Sequence, residues 1–432
     1  MTKKLTVLMT PANFVGPIMS SIGIGEVLRD SGHRVVFAVR ASWRPKLQAL
    51  GFVVELLGGE QEVVKDTVED SLELIKNMIS NRTPLEKGLN TFTTEMMADL
   101  IAIGEADEPY YRQIIDRHKP DAIISDNVIN MPSVVNSGSV WIMSNSNNPL
   151  SLDMCLEDNR LPPSLLGLPI NDKSLWDDYR RQINETRFQA FKVWADWLQS
   201  HGCPAPAANQ LWFPSPYANF YLIPKELDYT DIRPLPDNFY QFDYYKRTAN
   251  EDVFEIPEQL RQKSGKLIYL SLGSMGSADV DLMKRLVAML ANSEHRFIVS
   301  KGVNHDKYEL ADNMWGERFV PQVKVLSIVD LFLTHGGNNS ITECMYFGKP
   351  MLVFPLFFDQ FDNAQRVEDK GYGIRLNPYE CSEQQLLQSI DKILNDNKLI
   401  EKLRQVSQRI QTEKLIEKIP EIIDRLVKQK SK

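Results

Sequence analysis

The chain has 432 residues, of which 43% are hydrophobic and 25% charged, a length that exceeds one ordinary domain and suits two of about 200 residues each. The formal net charge of -8 excludes a protein that grips a nucleic-acid backbone through clustered Lys and Arg, yet leaves room for one nucleotide held by backbone N–H groups at a helix start. Cys155, Cys203, Cys344 and Cys381 are scattered without a CxxC pair, which argues against a disulfide framework or zinc site and for a reducing compartment.

Leu5 to Met9 is an apolar run too brief for a secretory leader and reads as a first strand. Ile22 to Leu28 continues in helical spacing toward Gly32, which ends the helix, and Val35 to Val39 is the next strand. Strand, helix and strand at this spacing imply a right-handed crossover in a parallel sheet. Gly23-Ile24-Gly25 lies inside the helix pattern and is read as close packing, since it lacks the context of a dinucleotide fingerprint. Residues 61–118 carry mixed-charge helical segments, after which Ala122-Ile123-Ile124 forms a strand ending at Ser125-Asp126. Residues 145–215 are rich in Asn, Pro, Leu and Trp and include an amphipathic helix near Trp176–Gln199. Insertions of this kind on an α/β scaffold usually build a binding pocket.

A proline-punctuated stretch, 231–237, and a polar one, 246–257, mark a boundary. The expected organisation is a first domain over 1–242, a linker over 243–257, a second domain over 258–412 and a closing amphipathic helix over 413–432. In the second domain, strands are expected at Lys266–Leu270, Phe297–Ser300, Leu331–Thr334 and Met351–Phe354, with a helix from about Asp279. The fold class is α/β, two Rossmann-like doubly wound domains facing a cleft, with ligands at the carboxyl ends of the strands. No stretch approaches the ~18 apolar residues of a membrane span, so a cytoplasmic protein is expected.

The segment richest in chemistry runs from Arg318 to Ala364. Its strand Leu331–Thr334 enters His335-Gly336-Gly337-Asn338-Asn339-Ser340, and a helix is expected from Ile341. Two glycines let backbone approach a ligand closely, and the helix start offers free N–H groups that suit a phosphate. By itself such a turn is equally at home as a capped structural corner. Its neighbours decide otherwise: Phe319-x-Pro321-Gln322 before it, then Glu343, Gly348-x-Pro350, Pro355 and Asp359-Gln360-x-x-Asn363-Ala364.

Together these residues resemble the donor-binding signature of the UDP-glycosyltransferases, a family of GT-B fold. The likeness extends to Tyr269–Ser274 and the N-terminal strand–helix–strand unit, and fits the acceptor region, roughly 60–230, only in outline. The resemblance implies that Phe319 stacks on uracil, where many members use Trp, and that the backbone of Gln322 reads the base edge. It places His335, Asn339, Ser340 and Ser274 on the diphosphate, with Gly337 in the same turn, and Glu343 on the ribose. Asp359 and Gln360 fall on the transferred sugar, with Asn338 beside it. No metal is expected, and the UDP-sugar is a co-substrate in place of any cofactor.

Most members of the family follow the first strand with a Gly-His whose imidazole is the catalytic base, oriented by an Asp at the end of a later strand. Asp126, in Ile123-Ile124-Ser125-Asp126, has the form of that Asp. The His is missing: Gly16-Pro17 stands at the first position and Gly32-His33 at the helix end. Pro17 therefore occupies the base position, and His33 reads as structural. Either Asp126 serves as base with its pKa raised by burial, or the acceptors are already nucleophilic, as amines and acidic phenols are, or the chain transfers poorly. Some relatives lacking this His favour nitrogen acceptors.

The expected activity is inverting transfer of a hexose, preferably from UDP-glucose or a related UDP-hexose, to a small lipophilic acceptor, with xenobiotic detoxification as its setting. Absence of a leader and of a membrane span likens the chain to bacterial or unusual arthropod members, and no nucleic acid or membrane partner is expected. Trp141, Leu150, Leu161, Leu165, Leu166, Trp212 and Phe213 are the apolar residues available to an acceptor pocket or to the core. The rivals are a catalytically weak UDP-sugar-binding homologue and a UDP-sugar epimerase on the same fold; an NAD-dependent dehydrogenase fails on the missing fingerprint.

Overall fold

The computed structural model describes residues 4–59, 81–152, 159–204, 206, 212–245 and 254–431. Cys155, residues 61–80 of the expected helical stretch 61–118 and the middle of the expected linker lie outside them.

Two all-parallel sheets form the frame. The first takes strands β1 (Thr6–Pro11), β2 (Arg34–Val39), β3 (Val53–Leu56), β4 (Ala122–Asp126), β5 (Val140–Asn145), β6 (Ala218–Leu222) and β7 (Phe239–Phe242) in the order β3-β2-β1-β4-β5-β6-β7. The second takes β8 (Leu267–Ser271), β9 (Arg296–Ser300), β10 (Met314–Glu317), β11 (Leu331–Thr334), β12 (Met351–Val353) and β13 (Gly373–Arg375) in the order β10-β9-β8-β11-β12-β13. In each sheet the chain reverses its direction of growth between the first-formed central strand and its neighbour, β1 beside β4 and β8 beside β11. Those two switch points open crevices at the carboxyl ends of the strands. The central strands are buried on both faces: Val7, Leu8 and Met9 in one sheet and Ile268, Leu270 and Phe332 in the other are all 0% exposed, as fully covered parallel sheets require.

The helices that position the site are α1 (Val15–Asp30), α2 (Pro84–Leu89), α3 (Thr94–His118), α4 (Trp176–Ser200), α5 (Gln322–Ile328), α6 (Asn338–Phe347), α7 (Gln360–Asp369), α8 (Asn397–Glu413) and α9 (Ile419–Lys430). Helix α1 begins at Val15, seven residues before its apolar periodicity starts at Ile22. Pro17 is its third residue, where a missing N–H costs no helical hydrogen bond. A Cβ at Gly23 would lie 2.7 Å from the Tyr245 carbonyl oxygen, so the glycine is there for close packing as the sequence suggested.

Two expectations are corrected. The linker was expected to open at residue 243, but Asp243, Tyr244 and Tyr245 are buried: Asp243 accepts hydrogen bonds from Arg409 at 2.7 and 3.0 Å, and Tyr245 packs on α1. The single closing helix is broken at Lys414, which takes φ +44° to end α8. The remaining helix α9 then crosses to the first domain, where Ile416, Ile419, Ile423 and Leu426 join Ile18 and Ile22 in one core.

Candidate active site

The turn after β11 is built by exclusion. Gly336 has φ +83°, and a Cβ there would lie 2.6 Å from Val353 Cγ1, so only glycine fits. Gly337 caps α6 without a side-chain bond, which leaves the first amides of the helix uncapped and its positive end bare. The helix starts three residues before the expected Ile341, and Asn338, Asn339 and Ser340 form its first turn. Their own backbone N–H groups are therefore among the free donors.

His335 lies between two glycines. A Cβ at Gly273 or Gly337 would come within 2.7 and 2.5 Å of its Nε2. Burial holds the imidazole down to about 4, with the Ser271 backbone working against it, so it is neutral. It can donate one hydrogen bond to an oxyanion but brings no charge. Ser274 lies in the short helical turn Gly273–Gly276 that follows the neighbouring strand β8.

Phe319, just after β10, is half exposed, with the Arg318 guanidinium 5.2 Å from its ring centroid. Gln322 is the first residue of α5, and its side chain does more than the sequence suggested. Its amide donates to Glu343 Oε2 at 2.6 Å and to Ser340 Oγ at 3.2 Å. Gln322 thus fixes the orientation of the buried Glu343 carboxylate, a role beyond the backbone contact expected of it.

Of the remaining donor-side residues, Asn338, Asn339 and Asp359 reach the first domain, and Gln360 bonds within the second. Asn338 donates to the Leu222 carbonyl at 2.6 Å, and its own oxygen is buried without a partner. Asn339 donates to the Gly16 carbonyl at 3.0 Å and accepts from Ser20 Oγ at 3.1 Å. Asp359 accepts from the Asn148 backbone N–H at 3.0 Å and from Asn363 Nδ2 at 3.2 Å. Gln360 Oε1 accepts from the Leu356 and Phe357 amides. All four are residues that the resemblance assigns to the nucleotide sugar. Apart from the Asn338 oxygen, the buried polar atoms named here are hydrogen-bonded, as buried polar groups usually are.

Burial raises the Asp359 carboxyl to about 7, with the charge of Asp362 adding to it and the Asn148 amide opposing. Asp362, unremarked in the sequence, accepts three backbone amides from the first domain: Leu165 at 2.6 Å, Gly167 at 2.9 Å and Leu166 at 3.2 Å. Burial still raises it to about 6. Lys87 of α2 donates to the Leu356 carbonyl at 2.5 Å, and burial lowers its ammonium to about 8.

Across the cleft, Asp126 is the last residue of β4, at the switch point of the first sheet, and is 2% exposed. Its Oδ1 accepts from Ser146 Oγ at 3.2 Å, while Oδ2 is buried without a partner. Burial raises this carboxyl to about 7, with Ser146 pulling the other way. Pro17 lies in the first turn of the neighbouring helix, one turn before the Ser20 that touches Asn339. His33 sits at the opposite end, accepting from the Leu5 amide at 3.3 Å, and takes no part in this cluster. Ser146 and Asn148 were missed because the sequence there reads only as an Asn-rich insertion; their position just past β5 was the available signal.

The apolar residues left open between an acceptor pocket and the core are largely buried. Trp141, Leu150, Leu161, Leu165, Leu166 and Trp212 are all buried, and Trp141 stacks on Phe213 at 5.9 Å. A surface cavity of about 470 Å³, lined by Asp121, Gly138, Val140 and Lys430 among others, lies at the amino ends of β4 and β5, away from Asp126. Among the described residues, Glu294, His295 and Asp391 bring three potential metal-ligand atoms within 4.8 Å of one another. His295 already accepts at Nδ1 from the Lys266 amide and meets Asp391 through Nε2, so neither ring nitrogen is spare for an ion. No described helix is long and apolar enough to cross a membrane.

Residues 216–419 match the family model described as UDP-glucoronosyl and UDP-glucosyl transferase. The chain is 24% identical over 439 residues to the uncharacterized UDP-glucosyltransferase YdhE of Bacillus subtilis, covering 100% of both chains. It is 24% identical over 412 residues to the NDP-glycosyltransferase YjiC of the same organism, covering 94% of each. Among solved structures, the glycotransferase of kitacinnamycin superposes with a TM-score of 0.73 at 18% identity, covering 98% of this chain and 100% of its own. The spinosyn rhamnosyltransferase SpnG complexed with thymidine diphosphate superposes with a TM-score of 0.64 at 15% identity, covering 94% of this chain and 96% of its own. The two relatives and the two solved structures match over both sheets, and the structures share the GT-B architecture.

Proposed function

The chain belongs to the UDP-glycosyltransferase family, and from that premise we propose that it moves a hexose, glucose first, from a UDP-sugar to a small lipophilic acceptor, with Asp126 taking the acceptor proton. One observation carries this reading. The amino end of α6 has no side-chain cap and is tied through Asn339 to Gly16 and Ser20 of the first domain, whose own switch-point carboxylate, Asp126, keeps Oδ2 without a partner. Glucose is favoured by the likeness to a full-length relative whose name specifies UDP-glucosyl transfer.

The chemistry follows from those groups. The acceptor oxygen attacks the anomeric carbon while the bond to the β-phosphate oxygen breaks, and UDP leaves with the electron pair. The proton passes to Asp126 Oδ2. Backbone amides of α6 and the neutral His335 stabilise the charge that gathers on the diphosphate. A carboxyl near 7 is half ionised at neutral pH and basic enough to assist. Amines and acidic phenols need the least help, and the acceptor range is biased toward them. Donor entry exchanges the contacts of Asn338, Asn339 and Asp359 with the first domain for the oxygens of the nucleotide sugar.

The test is a screen of UDP-glucose, UDP-glucuronate and UDP-N-acetylglucosamine against hydroxyl and amine acceptors. Transfer from UDP-glucose, fastest to amines and acidic phenols, is expected; no transfer from any donor overturns the proposal. A second reading, a UDP-sugar-binding protein with little transferase activity, draws on Pro17 at the base position. It requires donor binding by calorimetry without turnover of any acceptor.

A further inference from the structure

The turn after β5 touches both halves of the cleft within three residues. Ser146 Oγ donates to Asp126 Oδ1 at 3.2 Å, and the Asn148 backbone amide donates to Asp359 Oδ2 at 3.0 Å. The Asn148 side chain also donates to Asn363 Oδ1 at 2.8 Å and accepts from the Leu150 amide, so the turn is held at its far end on both sides. Ser146 and Asn148 are 6% and 0% exposed, and Asp126 is 2% exposed. One carboxylate oxygen of Asp126 is thus taken and the other is left without a partner.

We infer that Ser146 is a positioning residue for the transfer: its hydroxyl holds Asp126 Oδ1 so that Oδ2 is the atom offered to the acceptor, and Asn148 ties that orientation to Asp359 across the cleft. This rests on the reading of Asp126 as the base. A carboxylate with one oxygen engaged cannot rotate to bury its free lone pairs elsewhere, and the hydrogen bond favours the ionised form. The influences on this carboxyl are burial and Ser146, through its hydroxyl and its backbone amide; no ammonium or guanidinium among the described residues offsets the burial. The titratable group that feels its charge is the buried Tyr245 phenol, which lies beside Ser144 and is held far above its ordinary range. Tyr245 therefore stays protonated wherever Asp126 titrates.

The experiment compares pH–rate profiles of kcat for wild type, Ser146→Ala, Ser146→Thr and Asp126→Asn. UDP-glucose is the donor and 2-naphthol, which stays protonated through the neutral range, is the acceptor. Calorimetric binding of UDP checks that each variant keeps its donor site. Ser146→Ala is expected to move the acidic limb upward by about one unit, the scale of a lost hydrogen bond to a charge. Ser146→Thr keeps the hydroxyl and leaves the limb in place. If Asp126→Asn abolishes transfer while Ser146→Ala leaves the limb unmoved, the role of Ser146 is overturned and the base stands. If Asp126→Asn transfers at the wild-type rate, the base reading fails and the positioning role falls with it. Absence of turnover by the wild type overturns both.

Discussion

The Asn339 carboxamide donates to the Gly16 carbonyl at 3.0 Å, so the donor turn of the second domain touches the residue that precedes Pro17 in the first. The first turn of α1 therefore borders the place where nucleotide phosphate and acceptor are expected to meet. A Pro17→His variant puts an imidazole at that border. Pro17 is the third residue of α1 and replaces no helical N–H bond, so the change costs little stability. Transfer to alcohols should rise by about tenfold or more, a modest share of what a positioned base contributes. Rates with an amine acceptor should change less. An unchanged alcohol rate would place the base elsewhere.

Asp126→Asn removes the free Oδ2 lone pairs while keeping the shape of the side chain. A loss of about a hundredfold in kcat with hydroxyl acceptors is expected, with UDP affinity unchanged by calorimetry. The wild-type profile should show its acidic limb near pH 7, where this carboxyl ionises.

The same burial has a stability signature. Asp126, Asp359 and Asp362 all have folded pKa values above their ordinary 3.8, so between pH 4 and about 7 the folded chain binds more protons than the unfolded one. Their joint contribution is full below that window and is lost as pH rises through it. The melting temperature should fall from pH 5 to pH 8 on this account, and Asp126→Asn should flatten the fall by about 1–3 °C. A variant with the wild-type slope in a calorimetric pH series would contradict the assignment.

Glu343 is 1% exposed and meets Gln322 at 2.6 Å. Glu343→Gln should raise KM for UDP-glucose about tenfold, the scale of one charged hydrogen bond, with kcat little changed because the ribose does not react. A drop in kcat at constant KM would assign Glu343 to the chemical step.

Phe319 offers a half-exposed ring where the resemblance puts uracil. Phe319→Ala should weaken UDP binding about tenfold, within the ~1–3 kcal/mol that base stacking contributes, and Phe319→Trp should tighten it. Fluorescence or calorimetric titration with UDP and UMP reads both variants.

The frame was legible because buried parallel strands announce themselves as short apolar runs, as Leu331–Thr334 and Ala122–Ile124 do. Edge strands were not: β7 and β10 are only partly buried, and their sequences Phe239–Phe242 and Met314–Glu317 carry no continuous apolar signal. The polar residues of the donor turn could be named from their spacing, since that spacing fixes which element each one sits on. Their partners could not. Asn339 meeting Gly16, and Asp362 collecting the amides of Leu165 to Gly167, are relations between segments roughly 200 to 300 residues apart. No local pattern encodes them.

The crossing of α9 to the first domain means that the unit which folds is not the unit which is contiguous. An excised N-terminal half would expose Ile18 and Ile22 where Ile419 and Ile423 now cover them. A chimera that exchanges acceptor halves between relatives has to carry residues 415–430 along with the incoming half. One that leaves the old tail behind pairs mismatched surfaces beneath α1, the helix whose opposite end holds Pro17.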